Sequence, residues 1–204
     1  MTRIALALIS ALIAQPAATQ SLTSDEIESA IKAGSAGATS VITCTINDKL
    51  FGSMGRGFTV TVEGPLSRVM RAAADAKKKY KPFTAADVDD EMVASTVVIV
   101  ATPHAPKLER SGWKQSPPVE HMVLKRLGVK NPGATDVLQP TAHEAVESEW
   151  SNAMGGKFEG RGIVATFDLE AFRNMPAGTL EAVLITSDGE RTCTLPIRNR
   201  AGFR

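Results

Sequence analysis

Three histidines lie along this 204-residue chain: His104, then His121 beside Glu120, and His143 beside Glu144 with Glu147 close by. Imidazole and carboxylate are the ligands of catalytic zinc, and a histidine near an acid is also a common general base. The spacing alone supports neither use. A zincin helix needs two histidines one turn apart, and His143-Glu144 lacks the second. A metal-dependent enzyme or secreted hydrolase built on His121, Glu120, His143 and Glu144 would need the fold to bring two distant segments together.

Nucleophile motifs fail on context. The nearest pattern to Gly-x-Ser-x-Gly is Ala33-Gly34-Ser35-Ala36-Gly37, which follows a helical pattern, whereas the nucleophile elbow follows a strand. Ser111-Gly112-Trp113-Lys114 fits Ser-x-x-Lys but lies between prolines, and no Lys-Thr-Gly accompanies it. Gly155-Gly156-Lys157 is followed by Phe158 where a phosphate-binding loop needs serine or threonine. These residues therefore name no cofactor.

Two groups suggest binding instead. Lys77, Lys78 and Lys79 with Tyr80 end a predicted helix, where cations meet the negative end of the helix dipole and where an anionic partner could also dock. Trp113 and Trp150, the only tryptophans, fall in or beside irregular stretches and could floor a groove or anchor a satellite of the core.

The first residues bear on where such a surface would work. Arg3, an apolar run from Ile4 to Ile13, then small residues and a proline form the layout of a secretory signal peptide over residues 1–18, with cleavage expected after Ala14 or Ala18. The expected location is periplasmic or extracellular. The apolar run is too short to span a bilayer, and no later segment is long enough. Without Arg3 the chain holds 22 basic and 22 acidic residues, so bulk charge predicts no nucleic-acid partner.

Cys44 and Cys193 are the only cysteines, each alternating with apolar neighbours on a predicted strand. In an oxidising compartment they are expected to form a disulfide between the first and last strands, and the absence of Cys-x-x-Cys argues against a redox site.

The elements that must position these residues follow from periodicity. Phe58, Val60 and Val62 alternate with polar residues as a half-buried strand, and Gly64-Pro65 hands over to a helix whose apolar face is Val69, Met70, Ala73, Ala76 and Tyr80. Thr84 with Asp87 caps a second, short helix, and Thr96 to Ala101 is a strand apolar on both faces. Residues 19–39 form a short amphipathic helix and a flexible joint. Residues 103–118 and 128–140 look irregular. Thr141 and Glu144 form a capping box before Ala142, Ala145, Val146, Glu149 and Trp150, which predicts a helix toward Gly155, with an extended loop as the alternative. Strands are expected at 40–46, 119–126, 161–167, 180–186 and 190–197, with Asp188-Gly189 turning the last pair.

The expected fold is mainly β with helical insertions: an α+β, antiparallel, sandwich-like domain of about seven strands over residues 40–204, with its insertion at 65–91. A mixed sheet with a parallel crossover is the alternative. The functional expectation is a non-catalytic exported domain that binds a protein or cell-envelope component through long loops and the helical insertion.

Overall fold

The computed structural model describes residues 22–38, 41–47, 57–109, 112–129, 132–152 and 155–197. The expected signal peptide, the Ser111 of the Ser-x-x-Lys match and the connection around Leu50 and Phe51 lie outside them. In chain order, Thr23 caps α1 (Ser24–Ser35) through a capping box with Glu26. Strand β1 (Ile42–Asn47) then pairs antiparallel with β2 (Gly57–Glu63), where Phe58, Val60 and Val62 are all buried.

Gly64 and Pro65 open α2 (Pro65–Lys78), as proline at the first helical position favours. The helix closes in a Schellman motif: Tyr80 N–H donates to the Lys77 carbonyl and Lys81 N–H to that of Ala76, both at 2.9 Å. Tyr80 occupies the left-handed position, at φ 55°, that glycine usually holds. The short helix expected from Thr84 is divided. Thr84 and Asp87 close a 3-10 turn over Ala85–Asp87, while Asp89 separately caps the one-turn α3 (Asp90–Val93), so two competing caps split one run of acids.

Strand β3 (Thr96–Pro103) pairs antiparallel with β2, so no parallel crossover forms; the insertion leaves and rejoins the sheet at the same end. Buried Arg68 of α2 ties that return, donating to the carbonyls of Met92, Ala94 and Thr96 at 3.1, 2.6 and 3.1 Å. Val97, Ile99 and Ala101 are fully buried, but Val98 and Val100 on the opposite face are only half-buried, short of the two-sided burial expected. The reason is packing. Helix α2 lies against α1, α3 and β2 rather than over β3.

The proline-bracketed segment holds a small hairpin, β4 (Lys107–Glu109) and β5 (Gly112–Lys114), whose strands fall between the prolines. Next come β6 (Val119–Arg126), β7 (Val137–Leu138) and β8 (Ala142–Ser151). The last corrects an expectation: residues 142–150 are strand, not helix. Ala142, Val146 and Trp150 recur every four residues, which is one helical turn but also two repeats of a strand, and ten consecutive pairs with β9 (Lys157–Asp168) decide between them. Asp168 caps α4 (Leu169–Asn174), and β10 (Leu180–Thr186) turns through Asp188-Gly189 into β11 (Gly189–Leu195) as expected.

The fold is α+β and mainly β, with every strand pair antiparallel. One sheet has the order β1-β2-β3-β9-β8, a second has β11-β10-β6-β7, and β4-β5 stands apart. Among the described residues eleven strands replace the expected seven or so, but three of the additions span only two or three residues, and β8 is the one long strand missed. Residues of both large sheets share one core, in which Phe58, Phe167 and Phe172 are almost wholly buried. Each such side chain stabilises the fold by about 1.5–3 kcal/mol.

Cys44 of β1 and Cys193 of β11 form the expected disulfide, with Cα atoms 6.1 Å apart. It joins edge strands of the two sheets. Helix α1 is docked on α2, with Gly34 against the Met70 backbone, where a side chain would collide, and with Lys77 Nζ donating to the Ser35 carbonyl at 2.6 Å.

Candidate functional site

The edges opposite the disulfide belong to β8 and β7, and the chain passes from one sheet to the other there through Gln139, Pro140 and Thr141. His121 of β6 and His143 of β8 meet across this gap, with ring centroids 5.3 Å apart and planes at 77°. His121 Nε2 lies 3.2 Å from Gln139 Oε1. An amide oxygen only accepts, so the tautomer that makes this bond is the one that donates through Nε2, which would leave Nδ1 with the lone pair. Strand alternation sends Glu144 to the face opposite His143, and Glu120 is exposed beside an irregularity in the β6–β10 register. Of the four residues considered for a metal enzyme, the fold thus gathers the two histidines. Among the described residues, no group of three or more His, Cys, Asp and Glu side chains is placed to hold a metal.

His104 belongs elsewhere. Its backbone N–H donates to the Gly57 carbonyl at 2.9 Å, its ring Nε2 lies 3.1 Å from Thr59 Oγ1, and burial lowers its pKa below the ordinary histidine value.

The tryptophans come together through a third ring that the sequence did not single out. Trp113 packs on Phe158 with centroids 4.7 Å apart, and Phe158 is the cross-strand partner of Trp150. The Trp150 indole covers Gly160: a Cβ there would stand 2.5 Å from two indole carbons and 3.0 Å from Pro103 Cγ. Trp113 and its hairpin partner Leu108 remain exposed, so the cluster forms an aromatic shelf at the far end of β8. Beside it, a cleft of about 450 Å³ is lined by Gln115, Ser116, Pro118, Glu147, Glu159 and Arg161. Ser116 is buried, donating its hydroxyl to the Gly57 carbonyl at 2.8 Å and accepting from the Gly57 N–H at 2.9 Å, so it braces β2.

At the end of α2, Lys77 is engaged with Ser35, and Lys78 pairs with Asp75 at 3.0 Å, a bond that holds the Asp75 carboxyl below its ordinary pKa. Tyr80, expected on the helix's apolar face, is instead 98% exposed, because the Schellman turn swings it outward. An apolar groove of about 350 Å³ between α1 and α2 is lined by Ala30, Ala33, Leu66 and Met70.

Among the described residues the longest edge strand is β8 itself. Among the described residues it pairs with β9 alone, leaving ten residues of edge backbone beside Glu144, Glu147, Glu149 and Trp150. No described helix is long and apolar enough to cross a membrane. Neither a family model, nor a curated protein, nor a solved structure matches this chain.

Proposed function

We propose that this chain is an exported, non-catalytic binding domain that takes an extended segment of a protein partner along the free edge of β8. The observation that carries this is the edge: ten residues of strand with one paired side and an aromatic shelf at one end. Strand addition uses main-chain hydrogen bonds for affinity and side chains at alternate positions for selectivity. Glu147 and Glu149 share one face of β8, and Val146 and Trp150 share the other. The complementary segment alternates lysine or arginine with apolar residues.

The disulfide supports export, since such bonds persist in oxidising compartments, and the N-terminal residues have the pattern of a secretion signal. The loops and helical insertion first expected to bind act in this reading as support, apart from the β4–β5 hairpin that supplies Trp113.

A fluorescent octapeptide alternating lysine and valine, titrated by anisotropy, tests the proposal. Saturable binding that disappears in the double variant Glu147→Lys, Glu149→Lys is the expected result. Equal binding of a glutamate–valine octapeptide, or binding that survives in the variant, sinks it.

A further inference from the structure

We propose that His121 and His143 form a two-imidazole site for a divalent first-row transition cation, one that clamps the two sheets together at their open edge. Two imidazoles on one tetrahedral ion, with metal–nitrogen distances of about 2.0–2.1 Å, place their ring centroids roughly 5 Å apart. The rings stand 5.3 Å apart already. They come from different sheets, so an ion held by both would link β6 to β8, as the disulfide links β1 to β11 at the other side.

The hydrogen bonding favours the same use. A ligating histidine typically donates its second ring N–H to an oxygen, which fixes the tautomer and turns the free lone pair toward the metal. Gln139 Oε1, 3.2 Å from His121 Nε2, is placed to be that partner, and in the tautomer that donates to it Nδ1 is the ligand atom. His143 is exposed and His121 half-buried, which leaves a path for a hydrated ion. Two neutral nitrogens select Cu²⁺, Ni²⁺ and Zn²⁺ over Mg²⁺ and Ca²⁺, which prefer oxygen. Water fills the remaining positions. The acids that share the sequence neighbourhood, Glu120 and Glu144, take no part.

Thermal unfolding of the untagged, chelator-treated chain tests this. With Cu²⁺, Ni²⁺ or Zn²⁺ at a hundred times its dissociation constant, the midpoint is expected to rise by about 5–10 °C. Mg²⁺ should leave it unmoved, and His121→Ala or His143→Ala should each abolish the rise while His104→Gln retains it. Electron paramagnetic resonance of the Cu²⁺-loaded wild type gives an answer that needs no variant: two imidazole nitrogens on one copper support the site. No rise at millimolar cation, a rise that survives in either alanine variant, or a copper signal from one nitrogen overturns it. The result is independent of whether β8 binds a peptide.

Discussion

The two ends of the strand order are closed by opposite means. Where β1 and β11 lie together, a disulfide joins the sheets covalently, and the cysteines pack into the shared core. Where β8 and β7 lie, two histidine rings meet across the sheets, the Gln139 hydrogen bond holds the connection between the sheets to β6, and the ion pair of Arg126 with Asp136 at 2.9 Å ties β6 to the turn before β7 within the second sheet. The stapled side also ends in edge strands, β1 and β11, but these are shorter than β8 and are tied to each other covalently. The open side keeps a ten-residue edge and a change of sheet made by a short connection, which are the properties needed for a surface that binds or adjusts.

The strongest way to break this contrast is to cut the staple. The cysteines are separated by 149 residues, and on the chain-entropy model closing such a loop is worth about 5 kcal/mol. Replacing both by serine, Cys44→Ser with Cys193→Ser, should lower the denaturant midpoint by a corresponding amount. Peptide binding at β8, measured under conditions where the variant is folded, should be unchanged. A loss of binding on removing the distant staple would show that the two sides are not independent.

On the open side, Asp136 does two jobs. One oxygen meets Arg126, and the other accepts from the Gly133 N–H at 3.0 Å, so it fixes the turn that leads into β7. Asp136→Ala should cost about 2 kcal/mol, since it leaves a half-buried guanidinium and a backbone donor without their partner. The comparison predicts that this loss, smaller than that of the staple, disturbs the histidine pair. Chemical shifts of the His121 and His143 rings should move in Asp136→Ala and stay in place in the cysteine variant.

How far these features are legible in the sequence depends on whether the cause is local. The turn at Asp188-Gly189, the proline start of α2 and the alternation in β2 are set by neighbouring residues, and all three form as expected. The Cys44–Cys193 pair was readable because only one pairing exists. β8 was not, because its spacing of four suits two periods and the choice is made by β9, a tertiary partner. His121 and His143 lie 22 residues apart on different sheets, so no spacing rule could unite them. The Trp113–Phe158 contact has the same origin, and β9 starts at Lys157, four residues before the expected Arg161.

A substitution away from both edges calibrates these effects. Tyr80 holds a left-handed conformation while 98% exposed, so it bears the backbone cost of a side chain at that position with no burial to offset it. Tyr80→Gly should stabilise the chain by about 1 kcal/mol, read as a higher denaturant midpoint. If the midpoint falls instead, the tyrosine is held by contacts that outweigh its strain.

The smallest effect expected is one of pH, and it separates the isolated histidine from the paired ones. Burial lowers the pKa of His104 in the folded chain below the ordinary value, so between that lowered pKa and about 6.5 the unfolded chain binds more protons. Stability therefore rises with pH through this window. The contribution is fully present above about 6.5 and is lost as the pH falls through the lowered value. His104→Gln keeps a partner for Thr59 but cannot titrate, so its stability should follow pH less steeply there than that of the wild type. An unchanged slope would mean that His104 gains or loses no proton preference on folding. A flattened slope would assign that part of the pH dependence to the buried His104 ring.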